Sequence, residues 1–291
     1  ERLLTYDYLA RPAKLVPLVA EAMPQVTDNG RVYTFRLRKG IFYTPDPAFK
    51  GKPRELVAGD FAYVIKRHAD PKNSSPWAFM VEGKIEGLDA LVAQAKKTGK
   101  FDYDAKIPGL ETPDPHTLVV RLVAPDYLFN YTVAHVPYGA MAREVVEAYG
   151  DDIGAHPVGT GPYVLAEWKR ASRIVLEANP AYRGFTWDFA PSADEWDRQL
   201  VRDMRGKSMP QIGRVEISII EEDQSRWLAF GGKELDVLAL PGTFRPQAIG
   251  ADGNLLPKWA GEGVRLYKAI DPDITYTFFN FRDPIVGGYS P

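Results

Sequence analysis

The segment Asp28-Asn29-Gly30-Arg31-Val32-Tyr33-Thr34-Phe35-Arg36-Leu37-Arg38-Lys39-Gly40 limits what this chain can fold into more than any other stretch. Asn-Gly supplies residues that tolerate positive φ, which a two-residue hairpin turn requires. After it, Tyr33, Phe35 and Leu37 alternate with Val32, Thr34, Arg36 and Arg38. A period of two places the first set on one face and the mainly polar second set on the other. The pattern predicts a strand pair around a tight turn, with its second strand half-buried.

The rest of the chain mixes helical and strand periods. Leu15 to Glu21, flanked by Pro12, Pro17 and Pro24, is too interrupted for a long helix. Phe61, Val64, Ile65 and His68 predict an amphipathic helix with Asp60 near its N-terminus, ended by Pro71 and Pro76. Leu88, Leu91, Val92 and Ala95 predict a second, with Lys96 and Lys97 in its last turn and Gly99 behind it. Thr112 to His116 reads as a turn before a strand over 117–122, and Tyr127 to His135 as a buried aromatic segment. Ala142 to Tyr149 predicts a third helix. Strands are predicted over 163–168, 173–177, 215–219, 234–240 and 274–281, and helices near 195–204 and 224–230. Strands and helices intermix, and several strand pairs are joined by hairpin-length turns. The fold class is therefore α/β of mixed α+β character rather than a regular doubly wound sheet.

Composition narrows function. At 291 residues the chain can form one large or two ordinary domains. With a net charge of −2 and scattered basic residues it lacks a nucleic-acid footprint. It has no apolar run long enough to cross a membrane. Cysteine is absent, which removes disulfides, thiolate metal sites and cysteine nucleophiles. The four histidines, His68, His116, His135 and His156, are far apart and none has a ligand spacing, so no metal or other cofactor is expected. Gly159-Thr160-Gly161-Pro162 lacks both the third glycine of a dinucleotide loop and the Lys-Ser/Thr of a P-loop, and Pro162 removes an N–H donor. It reads as a structural turn, with Tyr163 starting the next strand.

Four segments carry a family resemblance. Pro157-Val158-Gly159-Thr160-Gly161-Pro162-Tyr163, Trp168-Lys169 and Leu176-Glu177-Ala178-Asn179-Pro180-Ala181-Tyr182-Arg183-Gly184 follow one another at compatible spacing. Tyr33 to Gly40 precedes them. Gly232-Lys233-Glu234-Leu235-Asp236 and Phe279-Asn280-Phe281-Arg282-Asp283-Pro284 follow. Together they resemble the bacterial extracellular solute-binding proteins of family 5, the dipeptide/oligopeptide-binding class of ABC importers. The resemblance implies a type II periplasmic-binding lobe, 1–5 and 157–270, with an inserted α+β second domain, 6–156. It also implies that 271–291 is a strand crossing a hinge toward a third lobe missing here, so that the chain reads as an N-terminal fragment expected to bind solute weakly or not at all. The segment 185–211 is longer than the usual family connection and reads as an insertion.

The function implied is capture of a peptide-like or other small solute by hinge closure and its delivery to permease subunits. The implied location is periplasmic or extracellular, touching the membrane only through the permease or a lipid anchor. Tyr276, Phe278 and Asn280 share one face of the last predicted strand and are the candidate ligand contacts. One face of that strand must pack against its lobe, and the residues alone leave open which. The alternative is a hydrolase using Asp188, Asp194, Glu195 or Asp197 of the insertion as paired carboxylates. Their polar surroundings favour a solvated loop.

Overall fold

Strand Val32–Arg36 is an inner member of a four-stranded antiparallel sheet ordered Gln25–Thr27, Val32–Arg36, Thr117–Arg121, Leu110–Asp114. Tyr33 stands opposite Val120 and Phe35 opposite Leu118, and all four are buried, so the predicted apolar face is the core face. Each such side chain contributes about 1.5–3 kcal/mol by leaving water. The structure, a computed structural model, describes residues 1–268 and 274–287. These fall into two compact units, Glu1–Ile219 and Ile220–Pro291.

In the first unit, helix Ala58–Ala69 packs on the sheet with Phe61 and Ile65 in the common core. Helix Leu88–Thr98 adds Leu88, Leu91 and Ala95, and ends at Gly99, whose φ of 72° makes the left-handed cap the sequence signals. Helix Arg143–Tyr149 follows as predicted. The strands Leu4–Tyr6 and Leu15–Pro17 pair antiparallel, with Leu3 and Leu4 buried in the same core.

Three local expectations change. The turn takes residues 28–31 rather than two, because Asp28, Asn29 and Gly30 all adopt positive φ (49°, 52° and 84°). Thr112 to Asp114 lies on the edge strand Leu110–Asp114, leaving Pro115-His116 as the turn; a sheet edge tolerates Pro113 because one side of the strand bonds no neighbour. Within Tyr127 to His135 only one side is buried. Phe129, Thr132, Val133 and Ala134 of helix Phe129–Ala134 face the core, whereas Tyr127, Leu128 and Tyr131 are exposed.

Strands Tyr163–Lys169, Arg173–Ala178 and Arg214–Ser218 form a three-stranded antiparallel sheet with the middle strand second in sequence. Its register sorts the faces. Leu165 opposes Leu176, which opposes Val215; Trp168 opposes Ile174, which opposes Ile217. The other face carries Arg173 paired with Glu167 and Arg214 paired with Glu177 and Glu216. The insertion is ordered. Phe185–Thr186 pairs with Ser208–Met209, and helix Glu195–Met204 lies between them with Asp194 accepting from the Trp196 amide at 2.7 Å. Leu9, Trp187 and Val201 make its small core.

The second unit gathers helices Asp223–Gly231, Arg245–Ala248 and Pro257–Gly261 around Trp227, Ala248 and Trp259. The Trp227 and Trp259 rings meet edge-on at 5.0 Å, and Trp259 Nε1 donates to the Gln247 carbonyl at 2.8 Å. Two predicted strands are not formed here. Residues 234–240 and 274–281 form no strand, and Val237, Tyr276 and Phe278 are exposed. Both have strand periodicity but no neighbour among the described residues to take their N–H and C=O groups, and a lone strand does not persist. Residues 271–273 and 288–291 of the predicted hinge-crossing segment lie outside the described residues.

Candidate functional site

A cleft of about 1060 Å³ opens within the first unit. Three stretches distant in sequence build it. The Leu4–Tyr6/Leu15–Pro17 hairpin supplies Thr5, Tyr6, Val16 and Pro17. The segment just after the Val32–Arg36 strand supplies Arg38 and Lys39. The insertion supplies Phe185, Trp187 and Phe189, with Leu200 and Met204 one helical turn apart on its helix. Trp187 and Phe189 meet edge-on at 5.1 Å, and the Tyr8 ring lies 6.1 Å from Phe189. Bonds from Trp187 N to the Lys207 carbonyl (2.8 Å) and from Gly206 N to the Trp187 carbonyl (2.9 Å) fix that wall.

The charged groups of the cleft differ in how they are engaged. Arg183 is bonded to the Glu1 carboxylate through both terminal nitrogens. Arg38 is held at its root: its amide donates to the Val19 carbonyl at 2.9 Å and Nε to the Ala20 carbonyl at 3.1 Å. Among the described residues neither Arg38 nor Lys39 is in an ion pair, and neither is the one carboxylate of the lining, Glu21. Burial, reinforced by the Glu1 charge, pushes the Tyr182 hydroxyl upward, so it stays a neutral donor.

The residues 159–163 form a clasp between sheets. The Gly159 carbonyl accepts from Thr44 N at 2.9 Å and Oγ1 at 3.1 Å. Asn179 donates from N to the Pro162 carbonyl at 2.8 Å and from Nδ2 to the Gly161 carbonyl at 2.9 Å. Thr160 is buried, and Tyr163 donates to the Ile212 carbonyl at 3.0 Å. These bonds use the loop's carbonyls, the opposite polarity from a phosphate cradle.

The sequence-derived contacts lie in the second unit. The Tyr276 and Phe278 rings are 6.2 Å apart and both are three-quarters exposed, while Asn280 Oδ1 accepts from Arg282 N at 3.1 Å. The insertion's acids are engaged locally. Asp194 caps its helix, Glu195 pairs with Arg198 and Arg202, and Asp188 with Arg205. Asp197 is buried rather than solvated. No group of His, Asp and Glu able to hold a metal occurs among the described residues. Sequence reading missed the aromatic-cationic cleft. Its signal was the apolar spacing of Leu200 and Met204 beside Trp187 and Phe189, in a segment otherwise read as polar.

Solved structures share this architecture. The substrate-binding domain of an oligopeptide ABC transporter from Bacillus anthracis superposes with a TM-score of 0.63 at 23% identity, over 85% of this chain and 40% of that one. Haemophilus influenzae OppA in complex with the peptide RPPGFSPFR superposes with a TM-score of 0.62 at 24% identity, over 85% and 41%. The fold is thus the mixed α/β type II architecture of periplasmic substrate-binding proteins.

The sequence matches the profile of the bacterial extracellular solute-binding proteins, family 5 (middle), over residues 14–287, and the chain belongs to that family. Among curated relatives, the periplasmic oligopeptide-binding protein OppA of Salmonella typhimurium is 32% identical over 193 residues, 65% of this chain and 31% of that protein. The dipeptide-binding protein DppE of Bacillus subtilis is 27% identical over 251 residues, 84% of this chain and 38% of that protein. The chain therefore spans about a third of the length of these relatives. No helix among the described residues is long and apolar enough to cross a membrane.

Proposed function

We propose that this chain belongs to the substrate-binding component of an ABC importer, which captures a peptide-like or other small solute outside the cytoplasmic membrane and passes it to permease subunits. The observation that carries the reading is the family match, unbroken from residue 14 to 287 and joined to the same fold. Hinge closure around the solute supplies the mechanism, because capture needs differential affinity for the closed state and no bond-making. In this reading 1–5 with 157–270 and the inserted 6–156 are separate domains of the binding protein. Tyr276, Phe278 and Asn280 contribute an aromatic and amide wall to the solute cleft, where apolar surface with few polar groups suits a peptide.

The test is calorimetric titration of the protein as its gene encodes it with peptides from dipeptides, named for DppE, up to the nine-residue length of RPPGFSPFR. Micromolar or tighter binding is expected, with Tyr276→Ala weakening it about tenfold, the loss of one good buried contact. Failure to retain any peptide would sink the reading.

A further inference from the structure

We propose that the cleft between the Leu4–Tyr6 hairpin, Arg38-Lys39 and the insertion is a second ligand site, one that takes a planar apolar anion such as an aromatic carboxylate. Its lining includes none of the solute contacts assigned to Tyr276, Phe278 and Asn280. Its volume of about 1060 Å³ exceeds what one aromatic ring system needs, and its walls are apolar enough to gain from covering one. Trp187 and Phe189 are already fixed edge-on at 5.1 Å by the backbone bonds of the insertion. A flat ring that stacks there orders few new side chains.

Charge selects the sign of the ligand. Arg38 and Lys39 are adjacent in sequence and both line the cleft; among the described residues neither is within ion-pair distance of a carboxylate, and since the Lys39 charge also acts on Glu55 outside the lining, Arg38 is the principal cation of the site. Arg38 is anchored through Nε on the Ala20 carbonyl, which leaves its two terminal nitrogens as donors in a fixed fork. A guanidinium fork matches a carboxylate. Against these cations stands a single free carboxylate, Glu21, so the lining favours an anion over a cation.

The probe is 2-naphthoate, titrated calorimetrically into the 291-residue chain, with 2-naphthylmethanol and 2-naphthylmethylamine as its neutral and cationic counterparts. The expected order is naphthoate tightest, alcohol weaker, amine weakest. Arg38→Gln with Lys39→Gln should weaken naphthoate about tenfold, the loss of charge-assisted bonds, and leave the alcohol within about twofold. Met204→Trp should intrude on the apolar wall and weaken binding of both about tenfold. Far-UV circular dichroism and a urea midpoint establish that each variant is folded. Tyr276→Ala should leave naphthoate binding unchanged. The proposal is overturned if naphthoate does not bind at millimolar concentration, if the amine binds as tightly, if neither cleft variant alters the affinity, or if Tyr276→Ala removes it. Peptide titration reads the other site, so its failure leaves this outcome untouched.

Discussion

Asn179 Nδ2 donates to Thr44 Oγ1 at 3.2 Å, joining residues 135 positions apart in sequence. The same amide holds the Gly161 carbonyl, and its Oδ1 accepts from Ala181 N at 3.0 Å. Thr44 in turn holds Gly159. The glycine-rich loop is therefore a strut between the segment after the four-stranded sheet's first hairpin and the three-stranded sheet. Asn179 is buried, and Asn179→Ala removes its bonds to Thr44 Oγ1, the Gly161 carbonyl and the Ala181 amide at once, which should cost about 2 kcal/mol. A urea titration should show a lower midpoint at unchanged slope. A loss under about 0.5 kcal/mol, the range of an ordinary surface substitution, would mean the strut carries no weight.

Asp60 ties a helix start to the loop before it. Its carboxylate accepts from Arg54 at 3.1 and 2.7 Å, from Tyr43 Oη at 3.1 Å and from Val57 N at 3.0 Å. The last bond satisfies a free N–H at the start of helix Ala58–Ala69. Burial pulls the Arg54 guanidinium down, but its bonds to Asp60 and Glu144 outweigh that and hold it above its ordinary value. Burial also drives Tyr43 well up, so it remains a donor. Asp60→Ala leaves Arg54 with Glu144 as its one carboxylate partner and takes the acceptor from Tyr43 Oη and Val57 N, and should cost about 2 kcal/mol. Thermal or urea unfolding checks this, and a cost below about 1 kcal/mol would place the pair in the class of exposed ion pairs.

Local pattern was readable wherever the element is stabilised by its own residues and by one buried face. Tyr33, Phe35 and Leu37 announced their strand, and Leu88, Leu91 and Ala95 with Gly99 announced a helix and its end. Residues 234–240 and 274–281 show the limit. Alternation states that a segment fits a sheet, not that a neighbour is present to complete one. The cleft was illegible for a related reason. Tyr6, Arg38 and Trp187 meet only after three distant segments fold together, and no spacing along the chain encodes that meeting. The family motif around Gly159 was legible, yet its physical role, carbonyls bonded by Thr44 and Asn179, depends on partners far off in sequence.

Gly30 offers a sharper test of the hairpin. Its φ is +84°, and a β-carbon there would stand 2.9 Å from Tyr127 Cε1. The Tyr127 ring is tethered, since its hydroxyl bonds Asn29 Oδ1 at 2.9 Å. Gly30→Ala thus combines a left-handed backbone penalty of about 1 kcal/mol with a clash that breaks this tether, for a loss of about 2 kcal/mol. In Gly30→Ala with Tyr127→Ala only the backbone part should remain. Equal losses in the single and double variants, each measured against its own Gly30 parent by urea unfolding, would remove Tyr127 from the account.

His68 gives the fold a pH dependence near neutrality. Its Nε2 lies 2.8 Å from the Pro137 carbonyl, which can only accept, so Nε2 carries the proton and Nδ1 accepts from the Ser75 hydroxyl at 2.7 Å. Burial lowers its pKa from 6.5; the Pro137 carbonyl opposes this, and the charges of Arg67 and His135 add to it. The unfolded chain therefore takes up a proton at higher pH than the folded one. Stability supplied by neutral His68 is complete above pH 6.5 and is lost as the pH falls from there toward the lower folded value. The carboxylates Glu55 and Glu144, held below their ordinary 4.5, act only at more acid pH. The urea midpoint should decline as the pH falls below about 6.5, the unperturbed histidine value. His68→Gln, which keeps an amide donor for Pro137, should flatten that decline. An identical pH profile in the variant would assign the effect to another group.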